Sequence, residues 1–247
     1  MKVNKITAAV CLFIIIISGI LLLVYKEHPM IQSVLSGIFT GFIASWVLAV
    51  IGYFHERAKL IEGININIRN LFLNITVISK KLGMVLPQIH NSSVIPDLPF
   101  KNVSGLSQLN YEFIEKMNLG LYSPVFPIGK KASICKRLQE FQQATYNIRN
   151  YSIKLENSVL NYGIQYNKIQ AKIAQEIATT PEEAQILDEL KNSINILTAK
   201  LHEYTTGQSI ELGKIAKDFF GYKKKRLYWN DLEAALISRA ENIVKET

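Results

Sequence analysis

The sequence predicts an all-α membrane protein, in which an N-terminal two-helix transmembrane hairpin precedes a cytosolic helical bundle with a long antiparallel, coiled-coil-like hairpin. Three observations predict this class. Two apolar runs, Ile6 to Tyr25 and Met30 to Phe54, are separated only by Lys26-Glu27-His28-Pro29. Beyond Phe54, apolar residues recur in alternating steps of three and four, which is the period of a helix seam and not of a strand. A helix-start signal, Thr180-Pro181-Glu182-Glu183, falls between two such seams.

Each apolar run is long enough to span a bilayer, since about 20 residues at ~1.5 Å each cover a hydrocarbon core of ~30 Å. The first run exceeds the apolar part of a signal peptide and no A-x-A-like site follows it, so it is expected to stay in the protein. Lys2 and Lys5 precede the first span, and Arg57 and Lys59 follow the second. The connecting loop has only Lys26, offset by Glu27. The positive-inside rule therefore places both termini in the cytoplasm. Tyr25, Tyr53 and Phe54 stand at interfacial positions. The only cysteines, Cys11 and Cys135, exclude a disulfide framework and suit a reducing compartment.

Within the second span, Ser33, Gly37, Gly41, Ser45 and Ala49 recur every fourth residue. Small residues on one helical face let a second backbone approach closely in lipid. Two readings are open: this face meets another copy of the chain, giving a homo-oligomer, or it meets the first span of its own chain. Neither span holds a charged residue, which argues against a pump or transporter. Gln32, Ser33, Ser36, Thr40 and Ser45 would be the lining of a pore in an oligomer, with helix packing the commoner use of such residues.

Four segments follow the hairpin of residues 1–54. Residues 55–86 read as a helical stalk whose seam is Ile61, Ile64, Ile68, Leu71, Ile75, Ile78 and Leu82, continued by Val85. The stalk is expected to be the better candidate for subunit contacts. Residues 87–129 read as loop-rich, with Pro87 to Gly105 and Leu119 to Gly129 as loops around one short helix near Leu106–Met117. Residues 130–247 read as the bundle. A helix from about Lys130 to Ala178 carries an unbroken seam from Ile134 to Ile173 that suits intramolecular packing. A second helix starts at the Thr180 cap, carries Leu187, Leu190, Ile194, Leu197, Leu201 and Tyr204, and is expected to stop near Gly207. Two further helices are expected at about Ser209–Phe220 and Asn230–Lys245.

A basic and aromatic cluster, Tyr222, Lys223, Lys224, Lys225, Arg226, Tyr228 and Trp229, has three readings. It is a membrane-surface patch, in which each basic residue contributes ~1 kcal/mol beside anionic lipid; a nucleic-acid patch; or an interhelical turn whose aromatics belong to the core. From His55 onward 25 Lys and Arg stand against 19 Asp and Glu, a net of +6, which is mild for a nucleic-acid binder. The scattered His28, His55, His90 and His202 form no metal-ligand spacing, and no P-loop, dinucleotide or nucleophile-elbow motif occurs. No catalytic, cofactor-binding or metal residue is therefore assigned, and a non-enzymatic protein is expected.

The layout, with spans at Ile6–Tyr25 and Met30–Phe54 and a helical remainder of modest size, resembles the two-transmembrane effectors of bacterial anti-phage systems, of the retron or cyclic-oligonucleotide type. That resemblance implies a multi-pass protein of the bacterial inner (plasma) membrane that perturbs the bilayer when its cytosolic helices are triggered. The alternatives are a constitutive membrane-anchored scaffold or adaptor that recruits a cytosolic protein partner and, third, a membrane tether for nucleic acid. In the effector reading, a change in the bundle passes along the Ile61–Val85 stalk to the span that carries Gly37 and Gly41.

Overall fold

The computed structural model describes all residues except 1, 92–94, 96–99, 101, 118, 123–124, 128, 221–222 and 247; the side chains at 2, 90, 91, 116, 120, 121, 220 and 223–228 also fall outside the description. The described residues form helices and no strand: α1 (Lys2–Val24), α2 (Pro29–Asn91), α3 (Val103–Lys116), α4 (Leu119–Tyr122), α5 (Lys131–Ala174), α6 (Pro181–Phe220) and α7 (Lys223–Glu246). They divide into two compact units, Met1–Ile64 and Asn65–Thr247. Helix α2 contributes residues to both.

In the first unit, α1 and the N-terminal part of α2 are long and apolar enough to cross a membrane. Their most apolar stretches have mean hydropathies of 3.0 and 2.2, and only 11% and 6% of those stretches is buried within the chain. A core helix of a soluble domain is largely buried; these two are not. Among the protected positions of α1, Asn4, Ala8, Cys11, Ile15, Ser18 and Leu22 follow a four–three spacing along one face, flanked by Ile14, Gly19 and Leu21.

The second unit is a bundle around the antiparallel pair α5–α6. Thr180 and Glu183 form the expected capping box, with the Glu183 N–H donating to Thr180 Oγ1 at 3.3 Å and the Thr180 N–H donating to Glu183 Oε2 at 3.2 Å. Lys172 pairs with Glu183 at the turn, and Lys130 pairs with Asp218 at the opposite end of the hairpin. Between them Tyr151 meets Tyr204 with ring centroids 5.9 Å apart. Helix α3 lies on α5, where Arg149 Nε donates to Gln108 and its guanidinium stands 5.2 Å from the Tyr111 ring centroid.

Buried apolar side chains from α2, α5 and α6 form a core, among them Ile78, Leu82, Ile148, Tyr162, Ile194 and Leu201. Each such side chain contributes ~1.5–3 kcal/mol by leaving water, whereas exposed ion pairs contribute ~1 kcal/mol at most. The core therefore sets the arrangement and the ion pairs trim it. Helix α7 completes the unit: the Phe72 and Trp229 rings meet edge-to-face at 5.8 Å, and Lys80 of α2 pairs with Glu241 at 2.7 Å.

Four sequence expectations are corrected. Helix α2 does not end at Pro87 but runs to Asn91. Proline inside a helix costs ~3 kcal/mol, and burial of Val85 and Ile89 on either side offsets it. Helix α6 passes through Gly207 without a break, so the separate helix expected at Ser209–Phe220 is the end of α6. Glycine there costs ~1 kcal/mol, against the burial of Leu201, Thr205, Leu212, Ile215 and Ala216. The loop expected over Leu119–Gly129 contains one helical turn, α4. The stalk seam is not free for subunit contacts, because Ile68, Leu71, Ile75, Ile78 and Leu82 are buried in the chain.

Candidate functional site

Two features stand out, one in each unit. In the first, the side of α2 turned to α1 is its bulky side. Leu35, Phe39, Phe42, Trp46, Ala49 and Tyr53 are among the protected positions and follow four–three steps, with Val50 and Gly52 protected beside them. The Phe39 ring lies 3.4 Å from where a Cβ on Gly19 would stand, and the Asn4 amide 3.0 Å from one on Gly52. At Gly19 a small residue of α1 thus receives a large one of α2, and at Gly52 a small residue of α2 receives Asn4 of α1; neither contact uses the Ser33–Ser45 stripe.

That stripe lies elsewhere on α2. Ser33, Gly37, Gly41 and Ser45 are exposed, and a Cβ on Gly37 or Gly41 would meet nothing within 4 Å. Ala49 departs from the other four: it is 7% exposed, with the protected set. Of the residues considered for a pore lining, Thr40 donates to the Ser36 carbonyl at 2.8 Å and Ser45 to the Gly41 carbonyl at 2.9 Å. Each hydroxyl proton is used within its own helix, as is usual for such residues in apolar helices.

In the second unit, α2 and α6 meet antiparallel along a seam of small and polar residues. Phe72 lies opposite Gly213, Thr76 opposite Ser209, Ser79 opposite Thr206, and Gly83 opposite His202. Both strings step by four, three and four, so one helical face of each meets the other throughout. The Thr76 hydroxyl donates to the Phe72 carbonyl at 2.7 Å; its single proton is then spent, and Ser209 must donate to it across the 3.0 Å contact. Ser79 and Thr206 are 2.7 Å apart. Burial holds the Lys81 ammonium below the usual lysine range. This seam follows the apolar positions 75, 78 and 82 by one residue, and that offset string of Thr, Ser and Gly is its signal in the sequence.

Between α3 and α5, the buried hydroxyls of Ser107 and Ser152 stand 2.7 Å apart, and each also lies 2.8 Å from the carbonyl one turn before it. Two protons serve three contacts, so one is always without a hydrogen.

The remaining sequence-derived residues are placed as follows. The stalk positions Ile61 and Ile64 are half-buried and buried. Of the basic and aromatic cluster, Tyr222 lies outside the described residues, as do the side chains of Lys223, Lys224, Lys225, Arg226 and Tyr228. Trp229 is corrected: it is fully buried beside Phe72 and belongs to the core, not to a surface patch. Among the described residues no three His, Cys, Asp or Glu side chains gather as a metal site requires. No protein-family model, curated protein or solved structure matches the chain.

Proposed function

We propose that the chain is a non-enzymatic, oligomer-forming protein of a bacterial inner membrane, with both termini cytoplasmic, and that it is an anti-phage effector that perturbs the bilayer when its helical bundle is triggered. The observation that carries the oligomer reading is the exposed Gly37–Gly41 face. In lipid, an apolar helix gains little from hiding apolar surface, so close backbone approach at small residues is what drives association. The first span uses a different side of α2, which leaves this one for a second copy. Helix α2 has Pro29–Ile64 in the first unit and Asn65–Asn91 in the second, so a rearrangement of the bundle would act on the helix that carries Gly37 and Gly41.

The test uses a chain with Cys11 and Cys135 replaced by alanine. In native membranes, Gly37→Cys is expected to cross-link between chains, and Asn4→Cys with Gly52→Cys within one chain. Gly37→Leu with Gly41→Leu is expected to abolish the interchain product of a reporter Ser33→Cys and to relieve any collapse of membrane potential on phage infection. Monomeric behaviour of the unsubstituted glycine face would refute the oligomer. Wild-type and leucine variants that are equally harmless under infection would refute the effector.

One observation favours a membrane-anchored adaptor instead. Ile153, Leu160 and Ile164 are exposed on one face of α5, at steps of seven and four, as a surface that receives a partner helix would be. In that case an unrelated membrane anchor in place of residues 1–54 preserves function.

A further inference from the structure

The second unit holds a cleft of about 390 Å³ where α5, α6 and α7 meet, lined by Arg137, Lys214, Lys217, Asp218 and Asn230. Clefts that hold small molecules measure ~300–1,000 Å³, so this one has room for a charged group with an organic body. Three of its five lining side chains are cationic and one is a carboxylate. Asp218 is already engaged, accepting from Lys130 and, at 2.7 Å, from Arg137 Nη1. The neighbouring carboxylates are engaged as well: Glu211 accepts from Arg137 Nε at 2.6 Å, and Glu233 pairs with Lys217 at 2.8 Å.

The cations keep donors to offer. A guanidinium has five N–H groups, and these contacts use one on Nε and one on Nη1 of Arg137. Lys214 stands 3.7 Å from Glu211, beyond hydrogen-bond reach, and its side chain is 63% exposed. The Asn230 amide adds a neutral donor from the second turn of α7.

We propose that this cleft binds a phosphate-bearing anion, with Arg137, Lys214 and Lys217 as its charged contacts and Asn230 as a neutral one. Arg137, Lys214, Lys217 and the adjoining Lys130 stand against the carboxylates of Asp218, Glu211 and Glu233. The site so keeps an excess of positive charge and spare N–H donors on one concave surface, which suit an oxyanion. The phosphate belongs either to a soluble molecule or to a lipid headgroup. The inference concerns the second unit and stands whether or not the chain is an effector.

The experiment is calorimetric titration of the full chain, in phosphatidylcholine nanodiscs at fixed ionic strength, with inorganic pyrophosphate. Trp229, adjacent to Asn230, serves as a fluorescent second readout in a Trp46→Phe chain. Saturable binding is expected. Lys214→Ala with Lys217→Ala should weaken it about tenfold or more, the scale of one charge-assisted contact. Lys154→Ala with Lys168→Ala, which removes equal charge elsewhere, should leave it unchanged. Asn230→Asp, which puts a negative charge in the cleft without touching an ion pair, should weaken binding too and serves should the double lysine variant lose its circular-dichroism signal. Adding phosphatidylglycerol to the nanodiscs separates the sources: competition with pyrophosphate supports a lipid headgroup, and its absence supports a soluble anion. No saturable response by either readout, or equal weakening by the two double lysine variants, overturns the proposal.

Discussion

His202 of α6 rests against Gly83 of α2: its Nδ1 lies 2.9 Å from the Ser79 carbonyl oxygen, and a Cβ on Gly83 would stand 3.0 Å from its Cε1. A carbonyl only accepts, so Nδ1 carries the hydrogen and the ring is held in one tautomer and one orientation. The ring cannot tilt away without losing that bond. Gly83→Val is therefore expected to destabilise the bundle by about 1–3 kcal/mol, the range for overpacking. His202→Ala in the same chain removes the obstacle, and a double-mutant cycle from thermal unfolding in nanodiscs should show the two changes costing less together than separately. Strict additivity would contradict this account.

The hydroxyl pair Ser79–Thr206 gives an asymmetric expectation. Ser79→Ala leaves Thr206 without its 2.7 Å partner and should cost about 1 kcal/mol. Ser79→Ala with Thr206→Val removes both polar groups and should return stability to within about 0.5 kcal/mol of the parent. Urea unfolding followed by helix content checks both, and a double variant weaker than either single one would contradict the argument.

Two backbone positions on the hairpin are improvable. Helix α5 ends in a Schellman arrangement, with the Ile177 N–H donating to Lys172 at 2.9 Å and the Glu176 N–H to Ile173 at 3.0 Å. Its left-handed residue, where glycine is usual, is Glu176 at φ 58°. Glu176→Gly should stabilise by about 1 kcal/mol, since an L side chain in that region costs ~1–2 kcal/mol. At Gly207 a Cβ meets nothing within 4 Å, so Gly207→Ala should add about 0.5–1 kcal/mol through helix propensity. Each gain is read as a raised Tm.

Acid should loosen the hairpin from both ends. The Lys172 ammonium, with the Thr180 N–H, holds Glu183 below the usual carboxylate range. Lys130, and after it Arg137, does the same for Asp218 against its burial. A carboxylate whose folded pKa is depressed stabilises fully above its unfolded pKa of about 4. That stabilisation is lost as pH falls from there through the lower folded value. Unfolding midpoints should therefore decline below about pH 5, and Glu183→Gln with Asp218→Asn should flatten the decline while lowering stability at neutral pH. A decline of equal steepness in that variant would exclude these groups as its cause.

The all-helical class, the two apolar helices and the start of α6 were legible because each rests on chain-local physics. Hydropathy over one helix length, a three–four period and the Thr180–Glu183 box involve residues within a few turns of each other. Where propensity was read alone it misled, at Pro87 and at Gly207, because the energy that carries α2 and α6 through those residues comes from side chains far away in sequence. Trp229 was ambiguous for the same reason: beside four basic residues it reads as surface, and only Phe72 of α2 makes it core.

By itself, the sequence determined that the chain is helical, that its first two helices can cross a membrane, and that Ser33, Gly37, Gly41 and Ser45 share a face. Tertiary structure decided that α1 lies against Phe39 and Gly52 instead of that face, that the stalk from Asn65 onward is core, and that Thr76, Ser79 and Gly83 meet Ser209, Thr206 and His202. Period places residues on a face of one helix; which face meets which neighbour depends on the fit of large side chains into small ones across two helices, and that fit exists only once both are folded.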